Sequence, residues 1–487
     1  ERTNLYLTKK RYIITEQHFA QTIMANNKKE LVVLGITLAI FGGLAVGGFL
    51  FFNQGKSNPN ASSSLSKANF DLTTRKSEGE KLLIIAESNA DKDAAIAAIA
   101  KKDYATATAK LEDSLSKQRN DPEALIYLNN AKIGDRPSLK VAVSVPIGGN
   151  LNVAKEILRG VAQAQTEVNN QGGINGMQLK IAIVNDDNKA DIGVKVAQAL
   201  VQDQTILAVI GHNSSEVSIA TVPTYQAGGL VMISSTSTAK ELSGMGSYIF
   251  RTVPSVRFQA DSLSHYAVKK LNKKNIGICF NSEAKASQSL KEEFTTAIFS
   301  DGAKVSRINC DVASPSFNAD KVVEDMLGDR VDALLLSPGV EKIEKGAEIA
   351  IIGRNRLLLL GDSTLYTFKT LQLGQGAIAD MVLSVPWHPD FFANNPFSAT
   401  AVKLWGGDVN WRSATSYDAT LAIIGGLKKS ANREGLQQAL SNPSFEIDGA
   451  AGKITFQPSG DRANASILVK VSKGNRSGVG YDFVPLR

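Results

Sequence analysis

The chain has 487 residues, enough for more than one domain. Apolar residues make up 43% and charged residues 21%, globular proportions that exclude wholesale disorder. The net charge of +7 is spread along the chain, partly in the tail at Lys9, Lys10, Arg11, Lys28 and Lys29. With no interleaved basic–aromatic patch and no Cys/His finger, it argues against a nucleic-acid partner.

The first feature along the chain is an uncharged apolar run, 31–52 (LVVLGITLAIFGGLAVGGFLFF). At about 1.5 Å per residue it is long enough to cross a hydrocarbon core of about 30 Å. Lys28 and Lys29 precede it, so the tail 1–30 is expected to be cytoplasmic and everything after Asn53 outside. The run exceeds a signal-peptide core, no A-x-A site follows it, and no Cys follows to carry a lipid. It therefore reads as an uncleaved single-pass signal anchor in the cytoplasmic membrane. Met24 followed by ANNKKE reads as a natural start, which leaves 1–23 without an assigned role. A polar linker, 53–90, comes next.

Residues 91–136 read as helical. Ala94, Ile96, Ala97, Ile99 and Ala100 form one apolar face, and Tyr104, Ala107, Leu111 and Leu115 continue the helical spacing. Asp121-Pro122 restarts a helix, with Asp as cap and Pro in the first turn. The run DYATATAKLEDSLSKQRNDPEALIYLNNA (103–131) resembles one tetratricopeptide-type unit and the start of another. One such unit cannot bury its own face, so it must pack on something else. The expectation is a tetratricopeptide-like spacer between membrane and ligand domain, with partner docking as the other reading.

From Ser138 the pattern becomes strand, loop, helix. Apolar strands are expected at 139–147, 179–186, 206–211, 230–234, 276–280, 333–337 and 357–361, with helices over 153–169 and 190–201 among them. Such alternation argues for parallel sheets buried on both faces. The fold class is α/β, and 137–487 is more than one doubly wound sheet needs, so two lobes are expected. Ligands of such sheets bind beyond the carboxyl ends of the strands. Those loops hold Gly148 and Asn150, Ser214 and Ser215, Thr236, Ser237 and Thr238, and Asp362 and Ser363. Hydroxyls above a helix N-terminus suit a carboxylate, through free N–H donors and the helix dipole. Taken singly, the same residues also read as ordinary N-caps.

Cys279 and Cys310 are too few for a disulfide framework or a structural zinc site, and no metal or cofactor is expected. They read as buried thiols. A bridge is allowed if their two runs are neighbouring parallel strands in an oxidising compartment, and the sequence leaves that open.

Four motifs occur in order: NNQGGINGMQLKIAIVNDD (169–187), ILAVIGHNSSEVSIATVP (206–223), LVMISSTSTAKELS (230–243) and YIFRTVPS (248–255). In this combination the chain resembles the leucine/isoleucine/valine-binding protein family, type I periplasmic binding proteins of ABC importers, over about 139–487. The resemblance implies two Rossmann-like lobes joined by three crossovers and closing over ligand. It implies a first lobe of about 137–256 and 383–448, and a second of about 257–382 and 449–487. It implies an amino-acid-like ligand, its α-carboxylate and α-ammonium held on Ser214 or Ser215 and Thr236 to Thr238, and ABC permease subunits as partners. The aromatic positions of the family's second lobe fall near Ala286 and within 337–340 (SPGV), where no aromatic stands. Its acidic residue falls at Asp362-Ser363, and the Asp usual after FRTVPS is Val256.

Catalysis is not expected. VPIGGN stands where a G-x-G-x-x-G would follow the first strand, and there is no G-x-S-x-G elbow, Walker loop or H-E-x-x-H. His212 lies beside Ser214 and Ser215 but has no evident third orienting group, so it reads as loop packing. Asp186 and Asp187 adjoin at a strand end, where their side chains are expected to diverge. The functional expectation is an extracytoplasmic solute-binding component of an ABC importer, taking a branched-chain or related small amino or amide compound. The alternative is a sensor or scaffold that passes occupancy to a membrane partner without transport.

Overall fold

The computed structural model describes residues 71–463 and 465–486. The expected anchor 31–52, the tail before it and the first part of the linker lie outside the described residues. No helix among the described residues is long and apolar enough to cross a membrane.

A two-residue strand β1 (Lys76–Ser77) opens the described chain, followed by helices α1 (Ala90–Ala100), α2 (Tyr104–Lys117) and α3 (Pro122–Ile133). Asn89, Asp103 and Asp121 cap them by accepting from Lys92, Thr106 and Ala124 N–H groups at 3.0, 3.1 and 2.9 Å. The helices do not stand apart as a spacer. Ala95, Ala107, Leu111, Ala124, Ile126 and Tyr127 share one core with the strands and helices of the first lobe. Lys92 is fully buried between Asp121 and Glu123, at 2.7 and 2.9 Å. Burial works against its ammonium, but the Glu123 and Asp121 carboxylates outweigh it and hold its pKa above the ordinary value.

The first sheet continues with β2 (Ser138–Val145), α4 (Leu151–Asn170), β3 (Gln178–Asn185), α5 (Ala190–Gln202), β4 (Ile206–Ile210), α6 (Ser215–Ala227), β5 (Val231–Ser234) and β6 (Ile249–Arg251). Its spatial order is β1-β3-β2-β4-β5-β6, parallel except for β1. An open edge at β3 would expose unpaired backbone groups. β1 covers part of it, pairing Lys76 with Val184 and Ser77 with Ile183. The Asn130 carboxamide of α3 covers more, donating to Ile181 O at 2.7 Å and accepting from Ile181 N at 3.1 Å. The helical segment is thus the border of the first lobe.

The second lobe carries α7 (Val256–Ser264), β7 (Asn275–Phe280), α8 (Lys285–Asp301), β8 (Lys304–Val305), β9 (Cys310–Asp311), α9 (Ala319–Gly328), β10 (Ala333–Ser337), α10 (Ile343–Gly353), β11 (Leu358–Gly361), α11 (Phe368–Gly374) and β12 (Val382–Val385). Its sheet runs β12-β11-β10-β7, with β8 and β9 beyond β7. β7 and β9 are parallel neighbours with Cys279 opposite Cys310, and a disulfide joins the two, 4.6 Å apart at Cα. The apolar runs carry almost no exposed residue, as a sheet covered on both faces requires.

The chain then returns through α12 (Pro396–Trp405), α13 (Trp411–Lys429), α14 (Arg433–Ser441) and the hairpin β13 (Ile447–Gly449) and β14 (Gly452–Ile454), all packed on the first lobe. It ends in the second with β15 (Ile467–Lys473) and β16 (Tyr481–Pro485), antiparallel beside β12. Two lobe limits differ from the sequence reading. Residues 383–385 belong to β12 and so to the second lobe. Residues 449–454 belong to the first, because Asp418 of α13 accepts from Ala450 and Ala451 N–H groups at 2.5 and 3.2 Å. Short crossovers leave the first lobe at about 252–255, return at about 386–395 and begin again at about 455–463, and Arg251 at the end of β6 pairs with Asp461 of the third at 2.5 Å.

Candidate functional site: the cleft between the lobes

The carboxyl ends of both sheets face one another across a cavity of about 220 Å³. Its first-lobe wall holds Asn188, Asn213, Ser214, Ser215, Glu216, Thr236 and Thr238. Two loops build that wall, and their buried hydroxyls lock them together. Ser234 and Ser237 donate to the His212 carbonyl at 2.9 and 3.2 Å, and Ser237 contacts Ser218 at 2.7 Å. Ser237 is therefore used up in holding the loops and does not line the cavity. Thr236 donates to Asn213 O at 2.8 Å and leaves its oxygen free to accept. Ser214 caps α6 by accepting from Val217 N–H at 3.4 Å. Ser215 accepts from Ala239 N–H at 3.2 Å, which leaves its own O–H to donate, and the Thr238 hydroxyl has no hydrogen bond among the described residues. Two hydroxyl donors therefore stand at the positive end of α6, a site suited to a carboxylate.

His212 is fully buried. Its Nδ1 lies 2.6 Å from Asp186 Oδ2 and its Nε2 lies 3.0 Å from the Tyr225 hydroxyl. An orienting carboxylate thus exists, contrary to the sequence reading, but the other nitrogen faces Tyr225 rather than a serine, and the ring serves packing. Burial pushes the Asp186 carboxyl up, but the His212, Asn188 and Ser144 hydrogen bonds outweigh it and its pKa ends below the ordinary value. Asp187 turns away to pair with Arg75 at 2.7 Å.

The second-lobe wall holds Asn281, Glu283, Ala284, Ala286, Gly339, Val340, Glu341, Ser363 and Thr364. Asp362 is not part of it. That buried carboxylate accepts from the Ser337 hydroxyl at 2.6 Å and from Thr364 N–H at 2.9 Å, and burial raises its pKa. It caps the loop that presents Ser363 and Thr364. Gly148 also stands aside, donating through its N–H to Asn185 Oδ1 at 3.2 Å, where an added Cβ would lie 2.0 Å from Asp187 Oδ1. Asn150 caps α4 at 3.1 Å and lines a second hollow of about 540 Å³ with Arg159, Phe368 and Gln372.

Two further residues come from the start of α13. Trp411 and Arg412 line the cavity, and Arg412 lines the larger hollow too. Trp411 donates from Nε1 to Ser363 O at 3.0 Å, a first-lobe helix bonding a second-lobe loop. The Arg412 guanidinium lies 4.4 Å from the Trp411 ring centroid. Gly160 on α4 lets this helix start approach closely, since an added Cβ would fall 2.1 Å from Ser413 O. Sequence reading missed both residues. The only local signal is Asn410, whose side chain caps the helix by accepting from Arg412 N–H at 2.8 Å.

The lobes touch across the mouth. Glu216 accepts from the Lys285 backbone N–H, Asn188 donates to Glu341 at 3.1 Å, and Lys240 pairs with Glu292 at 2.6 Å.

Residues 138–476 match the sequence pattern of the periplasmic binding protein family. The chain belongs to that family. An amino acid binding protein of Pseudomonas aeruginosa is 30% identical over 27% of this chain and 35% of its own length. The Leu/Ile/Val-binding protein of Escherichia coli K12 is 30% identical over 37% of this chain and 50% of its own length. Half or less of these two relatives is thus matched. An ABC transporter substrate-binding protein of Desulfitobacterium hafniense, solved with Leu, superposes with TM-score 0.61 at 20% identity, over 72% of this chain and all of its own. The two-lobed type I periplasmic binding fold is common to both. The relatives are solute-binding proteins, not enzymes.

Proposed function

We propose that the protein is the solute-binding component of an ABC importer and holds an amino acid, branched-chain or a related small amino or amide compound, between its lobes. One observation carries this: free hydroxyl donors of Ser215 and Thr238 at the N-terminus of α6, in a cavity closed on its other side by the second lobe. Ligand contacts shared by both lobes favour the closed arrangement, and only such differential contact can shift the population. The binding domain is extracytoplasmic on this reading, held at the cytoplasmic membrane by 31–52, and meets permease subunits there.

The test is thermal melting of the full chain against amino acids, amides, urea and short peptides. A bound solute raises the melting temperature by mass action. A rise with one class supports the reading, and no rise in protein shown to be ligand-free overturns it. Residues 71–136 stay in the sample, because they complete the first lobe.

A further inference from the structure

The cavity contains one buried cation that stacks on a ring but meets no counter-ion among the described residues. Arg412 is 3% exposed and lines the cavity, yet its guanidinium has no hydrogen bond and no carboxylate within 4.0 Å among the described residues. The other large buried arginines are treated differently. Arg251 bonds Asp461 at 2.5 Å and Ala239 O at 2.7 Å, and Arg462 bonds Asp418 at 2.5 Å and Gly452 O at 3.0 Å. The carboxylates nearest Arg412 are engaged elsewhere. Glu156 accepts from Arg159 at 2.6 Å and from the Ser413 hydroxyl at 2.6 Å, and Asp362 accepts from Ser337 and Thr364. Burial lowers the Arg412 pKa to about 10, which still leaves it charged at neutral pH. The Trp411 face offsets part of the desolvation, but an unpaired buried cation is costly.

The rest of the lining fits a ligand with three charges. The α6 end with Ser215 and Thr238 takes one carboxylate. Glu216 and Glu341 line the same cavity, each with one oxygen engaged by Lys285 N–H or Asn188 and the other left to accept from an ammonium, whereas Glu283 is paired with Lys342 at 2.9 Å. Apolar side chains are few, with Ala284, Ala286 and Val340 beside Trp411. A branched aliphatic group would seal Arg412 from water without a counter-ion.

Resting on the binding-protein reading above, we propose that the solute is an acidic amino acid whose side-chain carboxylate pairs with Arg412. Arg412 is then the specificity-determining residue of the cleft. A planar guanidinium holds a carboxylate through two parallel N–H donors, which a carboxamide cannot match.

Calorimetry on the full chain with L-glutamate, L-aspartate, L-glutamine and L-leucine tests this. Glutamate or aspartate is expected to bind at least about tenfold more tightly than leucine or glutamine. Arg412→Met is expected to weaken the acidic ligand by roughly a hundredfold, and Arg412→Lys, keeping a cation on a flexible stem, by less. Melting curves of both variants without ligand report whether they fold, and the preference of the unaltered protein decides even if they do not. Preference for leucine overturns the acidic-ligand proposal and leaves the binding-protein reading standing. Equal loss of leucine and glutamate binding in a folded Arg412→Met also overturns it, since the residue would then serve the fold of the cleft. No binding of any of the four overturns it as well.

Discussion

Lys92→Met asks whether the N-terminal helices belong to the binding lobe. Lys92 is fully buried, with Asp121 at 2.7 Å and Glu123 at 2.9 Å, and those carboxylates are buried too. Met keeps most of the volume but strands two carboxylates. Removing one partner of a buried ion pair costs about 3–5 kcal/mol. In a domain of about 200 residues that corresponds to about 2–4 °C of Tm per kcal/mol. Glu123 also accepts from Leu83 N–H at 2.7 Å and from the Tyr127 hydroxyl at 3.0 Å, so the loss reaches the core beneath α3. The assay is unfolding followed by circular dichroism and by protection from a bound amino acid. If the helices are part of the lobe, one transition moves down as a whole and the solute still raises it. Two transitions, with only a minor helical one shifted, would refute the reasoning. The pH dependence gives a second check. The raised Lys92 pKa means its contribution is fully present below 10.5 and is lost as pH climbs through the higher folded value.

Three further outcomes are expected. Ser215→Ala and Thr238→Ala should each weaken solute binding by about 1.5–3 kcal/mol in calorimetry, if each donates to a charged carboxylate. Intact affinity in the double variant would place the ligand elsewhere. Reducing Cys279–Cys310, which closes a separation of 31 residues, should cost about 3–4 kcal/mol of second-lobe stability in urea unfolding. Asp203 is pushed up by burial, but Lys76 and Thr205, at 2.8 and 2.6 Å, bring its pKa to about 2 from 3.8. Its stabilising part is thus present above 3.8 and lost as pH falls toward 2. The effect is small because the group is partly exposed, and it should vanish in Asp203→Asn when Tm is followed against pH.

Much of this protein is written locally. The apolar runs ending in Gly, Asn or Ser, such as ILAVIG at 206–211 and ALLLS at 333–337, announced buried parallel strands, and the loops after them announced the cleft. Ser214, Ser215, Thr236, Thr238 and Ser363 line the cavity because strand ends and helix starts are local features with local signatures. Ser237, Asp362 and Gly148 carry the same signatures but turn inward or aside. Which of several adjacent hydroxyls points into a cavity depends on a rotation about the chain that spacing does not encode.

Only the tertiary structure decided the rest. Trp411 and Arg412 reach the site from nearly two hundred residues beyond Ser215, through a return crossover whose path depends on how two sheets pack. The helices of 90–133 carry an amphipathic pattern that demands a cover without naming it, and the cover is the first lobe, through α4 and the β3 edge that Asn130 completes. Likewise the strand pairing that sets Cys279 against Cys310 is a long-range choice. Periodicity and capping are properties of a few neighbouring residues, and the sequence states them directly. Sheet order, lobe limits and the partner of a buried charge arise from contacts distant along the chain, which exist only once the whole core has closed.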